Sequence, residues 1–188
     1  MFVSSTCYDL NKVRADMKRF LENMGLDPVR SETPAFPVSP QTSPVENCLR
    51  AVKERADIFV LIVGARYGSQ NGSGRSVTNL EYLEAKAKGI PVYVFVLKQI
   101  LSVLPVWKMN PQANYQGTVD TPKLFEFVEM LRGPQHTQSL VDRTDPVGSA
   151  QLYQGAPEAL GNAVTWFAGK SPDFQWPAHL LNFQEKLL

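Results

Sequence analysis

The residues best placed to do chemistry are two glutamates, Glu81 and Glu84, in the segment "SVTNLEYLEAKAKGIPVYVFV" (residues 76–96). The segment reads as a helix feeding a buried strand. A carboxylate early on such a helix, at the edge of a sheet, could sit beside a ribose. There it could stabilise an oxocarbenium-like transition state or attack the anomeric carbon. The same residue also has a structural use. Thr78 and Glu81 have Thr-x-x-Glu spacing, so Glu81 could instead close a capping box at the helix start. A side chain folded back in that way cannot also reach a ligand, and the two roles compete. Glu84 borders the apolar stripe of Leu80, Leu83 and Ala87 and reads as a salt-bridge partner or a solvated edge.

Two further stretches are rich in hydroxyls, glycine and backbone donors: "SSTCYD" (4–9) and "GARYGSQNGSGRSVT" (64–78). They suit phosphate or ribose groups. "GSQNGSG" lacks the Gly-Lys-Ser/Thr ending of a phosphate loop and reads equally well as a flexible connection. No dinucleotide fingerprint follows the first strand. His136 and His179 fall in weakly patterned C-terminal segments, with no nucleophile elbow and no helical His pair. Triad hydrolases and zinc enzymes therefore lack support, and no metal site is expected. Cys7 reads as a packed or incidental thiol, and Cys48 as a core residue.

The elements that must position these residues follow from periodicity. "MFVSST" is a short first strand ending in a loop. "YDLNKVRADMKRFLENMG" (8–25) places Leu10, Val13, Met17, Phe20, Leu21 and Met24 on one helical stripe, with Asp9 as N-cap and Gly25 as stop. "LDPVRS" (26–31) reads as an edge strand, and the four prolines of 33–44 as a loop. "SPVE" (43–46) is a strong helix start, and that helix should run to about Ala56. "DIFVLIVG" (57–64) and "IPVYVFVL" (90–97) are near-continuous apolar runs, typical of strands buried on both faces. "KQILSVLPVWKMN" (98–110) has no clean period, whereas "KLFEFVEMLR" (123–132) is a helix. "TQSLVDRTD" (137–145) is expected as a fifth strand and "PEALGNAVTWFA" (157–168) as a closing helix. Alternation of strands and helices argues for an α/β fold with a mostly parallel sheet of about five strands. One domain over 1–170 is expected, with 171–188 a tail or linker to a further module.

Composition bounds the function. The 188 residues are 44% hydrophobic and 20% charged, with a net charge of +1. So even a balance gives no general attraction to nucleic acid or anionic lipid, and neither partner is expected. No apolar run approaches the roughly 20 residues that span a bilayer. The start lacks a secretory pattern, and the cysteines lack metal or disulfide spacing, so a reducing, cytoplasmic location is expected.

Four stretches together, "FVSST", "SPVENCLRAVKERADIFVLIVGARYGS", "SVTNLEY" and "EAKAKGIPVYVFV", resemble a domain-of-unknown-function family found N-terminal to NACHT-type and other STAND signalling ATPases. The resemblance covers about residues 1–100. That family is similar to TIR domains and to nucleoside 2-deoxyribosyltransferases, which share a flavodoxin-like three-layer fold. Glu81 stands eight residues before Gly89 of "GIP", the interval at which the transferases carry a catalytic glutamate, and Glu84 does not. In NAD-hydrolysing TIR domains the catalytic glutamate lies on the equivalent helix. The resemblance therefore implies that Glu81 acts on C1′ of a ribose, with NAD as substrate rather than cofactor. Ser4, Ser5 and Thr6 would line the pocket, Arg66 and Tyr67 would supply a cation and a stacking face, and Gly64 and Ser76 would complete the ligand-contacting set. Two departures stand out: "GARYG" replaces an aspartate of the transferases, and Thr78, Asn79 and Leu80 replace an aromatic of the TIR proteins. Three functions follow as expectations. They are N-glycosidic cleavage of NAD or a related nucleotide in an immune or cell-death type protein, a non-catalytic self-association module, and deoxyribosyl transfer.

Overall fold

A near-continuous run of apolar residues, rich in β-branched ones, suits a strand buried on both faces, and one such run forms the centre of the fold. The computed structural model describes residues 1–6, 9–23, 27–31, 36 and 38–132. In it β2 (Phe59–Val63) is buried at every residue. β1 (Phe2–Ser5) and β3 (Val92–Val96) flank β2 in parallel, with Phe2 opposite Phe59 and Phe59 opposite Val92. Beyond β1, Val29 makes a single parallel bridge to Phe2: the Val3 N–H donates to Val29 O and the Val29 N–H to Met1 O. The lateral order is thus Val29, β1, β2, β3. From β1 the chain first steps outward to Val29 and then crosses back to β2. Strand order reverses there, as in flavodoxin-like folds, and opens a crevice at the carboxyl ends of β1 and β2.

Parallel neighbours need long crossovers, which amphipathic helices supply. On one face, α1 (Asn11–Asn23) and the preceding Leu10 pack Leu10, Val13, Met17 and Leu21 against Val3, Val60 and Ile62. The other face is covered by α2 (Pro44–Arg55), α3 (Val77–Lys88), α4 (Lys98–Met109) and α5 (Lys123–Leu131). These gather Val52, Tyr82, Ile100, Leu104, Phe125 and Phe127 around Phe2, Phe59, Leu61 and Val63. Alternate residues of β2 serve alternate layers, giving a three-layer, flavodoxin-like α/β fold.

Local chemistry explains the helix limits. Ser43 caps α2 with a complete capping box, its Oγ accepting from the Glu46 N–H while the Glu46 carboxylate accepts from the Ser43 N–H at 2.7 Å. Pro44 opens that helix, and Cys48 is buried on it as expected. Gly89 ends α3 in the left-handed conformation, φ 74°, which a side chain would strain.

The sheet differs from the expected one. Among the described residues it has three strands, and the expected second strand shrinks to the Val29 bridge because only that residue meets β1. β3 is half-buried at Val92, Tyr93 and Val96 rather than buried throughout. The unpatterned segment after β3 is helix α4, which tolerates Pro105 within it. The expected strand at 137–145, the closing helix at 157–168, the 170/171 boundary, Met24, Gly25, Cys7, both histidines and the Phe20 side chain lie outside the described residues. No helix among the described residues is long and apolar enough to cross a membrane.

Candidate functional site

β1 brings its last two residues to the crevice on opposite sides, because side chains alternate across a strand. Ser4 shares its face with Phe2, beneath α3, and Ser5 shares its face with Val3, beneath α1. Ser4 Oγ donates to Glu81 Oε2 at 2.5 Å. On the other side, Arg14 of α1 donates through Nη1 to Ser5 O at 3.1 Å and to Ser5 Oγ. A buried carboxylate and a buried guanidinium, 5% and 2% exposed, are thereby tethered to adjacent residues of one strand.

Glu81 does not close a capping box with Thr78. The cap of α3 is Ser76, whose Oγ accepts from the Asn79 N–H at 3.2 Å. With the cap two residues earlier than Thr-x-x-Glu spacing suggests, Glu81 falls on the second turn, beyond the amides that need capping. Its side chain is directed to β1 instead. Glu84 is half-buried and outside the cleft lining.

A cleft of about 160 Å³ lies between these groups, lined by Ser4, Ser5, Thr6, Arg14, Arg66 and Glu81 together with Ser31, Gly68, Ser69 and Thr78. The loops after β1 and β2 both reach it, whereas among the described residues the segment after β3 contributes no lining residue. Of the residues singled out in the sequence, Ser4, Ser5, Thr6, Arg66 and Glu81 are brought together. Gly64, Tyr67 and Ser76 stand behind the cleft. Tyr67 is in the core, packed edge-to-face on Phe127 at 6.1 Å, and its hydroxyl accepts from Asn79 Nδ2 at 3.2 Å. It anchors the loop and does not offer its ring to a ligand.

Gly64 serves a clamp. Asp9 Oδ1 accepts from Thr6 Oγ1 at 2.5 Å, and Asp9 Oδ2 accepts from the Ala65 N–H at 3.0 Å, joining the loops after β1 and β2. The glycine-rich segment is also tied down. Gln70 bridges to Ser76, and Lys123 Nζ of α5 donates to Gln70 Oε1 at 2.8 Å and to Gly74 O at 3.2 Å. The flexible reading of "GSQNGSG" is therefore replaced by a closed turn.

Arg14 is the site residue that sequence reading passed over. Its signal was a charged side chain inside the apolar stripe, four residues after Leu10 and three before Met17. Chemically, the cleft offers one oriented carboxylate, several hydroxyls and two guanidinium groups. It is smaller than the roughly 300–1,000 Å³ typical of drug-sized sites, so it suits part of a nucleotide rather than the whole. Among the described residues no group of three or more His, Cys, Asp or Glu side chains could hold a metal ion.

Fold and cleft together define the class: a flavodoxin-like α/β domain with a polar cleft at its strand-order reversal. The chain belongs to the family described as domain of unknown function, DUF4062, whose family model matches residues 1–147. No curated protein and no solved structure matches it.

Proposed function

We propose that this is a TIR-like effector or signalling domain whose cleft binds NAD or a related nucleotide and cleaves its N-glycosidic bond. It would serve a larger, NACHT-associated protein of immune or cell-death type. The observation that carries this reading is the direction of Glu81. A buried carboxylate relieved of any capping duty lies against the cleft, oriented by Ser4 Oγ, at the edge of the sheet where such folds bind ligands. From there it stabilises the positive charge that develops at C1′ as the base departs, or attacks that carbon.

The test is nicotinamide release from NAD by purified, concentrated protein. Release is expected, and Glu81→Gln should lower it about 10²–10³-fold, the cost of removing one oriented electrostatic group. No release under conditions that promote assembly, or equal release by the variant, overturns the enzymatic reading.

A second reading, a self-association module, has its own support. Val106 and Met109 on α4 and Met130 on α5 are exposed large apolar residues. It predicts that polar substitutions there abolish assembly of the full-length protein while Glu81→Gln leaves it intact.

A further inference from the structure

We propose that Asn71 is a site of spontaneous covalent modification, in which the Gly72 amide nitrogen displaces the Asn71 side-chain amide and leaves aspartate and isoaspartate in a turn beside the cleft. This goes beyond the reading of Glu81 and does not depend on it. Asn71–Gly72 is the only Asn-Gly pair in the chain. Electrophile and nucleophile are neighbours in one backbone, so the reaction is intramolecular and gains from proximity. What sets this pair apart is how the turn holds it.

Asn71 Oδ1 accepts from the Ser73 N–H at 3.0 Å and from Ser73 Oγ at 2.7 Å. Both donors face the oxygen that becomes an oxyanion when Cγ is attacked, which favours addition to a carbonyl. The Gly72 N–H donates to no group among the described residues, and Gly72 is exposed. A Cβ built there would meet nothing within 4 Å, so water and hydroxide reach the proton on that nitrogen. Asn114 supplies the contrast. Its Oδ1 accepts from the Gln116 N–H at 2.9 Å, but the attacking nitrogen would belong to Tyr115, whose ring packs on Phe125. Asn47 and Asn79 are buried within α2 and α3.

Base takes the Gly72 amide proton, and the nitrogen bonds to Asn71 Cγ while Oδ1 carries the charge. Collapse breaks the Cγ–Nδ2 bond and releases ammonia, leaving a cyclic succinimide. Water then opens the ring. Cleavage of the new Cγ–N bond gives aspartate, and cleavage of the original main-chain bond to Gly72 gives isoaspartate. Isoaspartate puts an extra methylene into a turn closed by the Asn71 N–H on Arg75 O at 2.9 Å and the Gly74 N–H on Asn71 O at 3.0 Å. That turn leads from Ser69, which lines the cleft, to Ser76, which caps α3. Modification therefore loosens the cleft wall and adds a negative charge beside it.

The experiment incubates the 188-residue chain in mildly alkaline buffer and follows each asparagine by peptide mapping. Replacement of NH by O in the peptide mass marks the modification, and chromatography separates its two products. Asn71 should convert, with Asn114 spared. Gly72→Ala, which the open space accommodates, should slow conversion severalfold because a side chain crowds the attacking nitrogen. Ser73→Ala keeps the N–H donor and loses the hydroxyl, and should slow conversion about threefold, the worth of one modest hydrogen bond. In urea, where the turn is lost, wild type and Ser73→Ala should convert at one rate. Melting curves verify that both variants fold. The isoaspartyl chain, separated by ion exchange, should unfold at a lower urea midpoint than the unmodified chain. An unmodified Asn71, equal conversion at Asn114, or a folded-state rate that Ser73→Ala leaves unchanged each overturns the proposal. An unchanged midpoint removes the loosening of the cleft wall.

Discussion

Gly64 has no room for a side chain: an added Cβ would stand 2.3 Å from Asp9 Oδ2 and 3.2 Å from Leu10 Cδ1. The contact is tight because Asp9 must come close enough to accept from the Ala65 N–H. Gly64→Ala should therefore cost about 1–3 kcal/mol, as overpacking does. In an Asp9→Ala background most of that penalty should vanish, a coupling between neighbours that urea unfolding of the four variants measures. Additive effects would mean that the clamp is not what excludes a side chain. This residue-level chemistry was partly legible in the sequence. The hydroxyl-rich end of β1 at Ser4, Ser5 and Thr6 could be placed because a strand end is a local signal, whereas Glu81 stood open between cap and cleft until the resemblance favoured the cleft. Tyr67 could not be placed, since the ring that buries it, Phe127, is sixty residues away and the choice between core and cleft is made by packing. Arg14 was hidden for a related reason: a stripe is read from its apolar members, and the charged residue among them is passed over.

At the scale of elements, α2 and α3 make an instructive pair. "SPVE" holds its whole start signal within four residues, and α2 begins as read. α3 begins two residues ahead of the Thr78 cap that Thr-x-x-Glu spacing suggests. The cap falls to Ser76 because Gln70 pairs with it and the Val77 N–H donates to Ser69 O, fixing the turn ahead of the helix. α4 was illegible because it shows only a narrow buried stripe, Ile100 and Leu104, with Val106 and Met109 exposed and Pro105 inside. The cap of α2 yields a pH prediction. Backbone and side-chain hydrogen bonds from Ser43 hold the Glu46 carboxyl below its ordinary value. A carboxylate with a depressed folded pKa contributes stability above its unfolded value and loses it as pH falls through the folded one. Wild type should therefore exceed Glu46→Gln in urea midpoint near neutrality and converge with it in acid. Ser43→Ala, which removes the cap itself, should cost about 1 kcal/mol near neutral pH. A Glu46→Gln difference that persists unchanged to the lowest pH would show that the charge plays no part.

For the whole molecule, the decisive fact is that one strand serves two layers. β2 sends Val60 and Ile62 to the α1 side and Phe59, Leu61 and Val63 to the opposite side, which is why its sequence shows no alternation at all. The same run-length argument applied to "IPVYVFVL" predicts equal burial, yet β3 is half-buried at three of its five positions. Apolar runs report what a strand can bury, whereas coverage depends on elements beyond the strand itself. Tyr93 on β3 makes that partial coverage measurable. It packs at the margin of the α1-side core, and burial raises its phenol above the ordinary value of 10.0. With a raised folded pKa, the neutral phenol is favoured in the folded chain. The corresponding stability is complete below pH 10 and is lost as pH rises through the folded value. Urea midpoints measured from pH 8 to 11.5 should then fall more steeply above about pH 10 for wild type than for Tyr93→Phe, which has no proton to lose. Parallel curves would mean that the phenol titrates as it does in the unfolded chain, and that the outer margin of β3 is open to water.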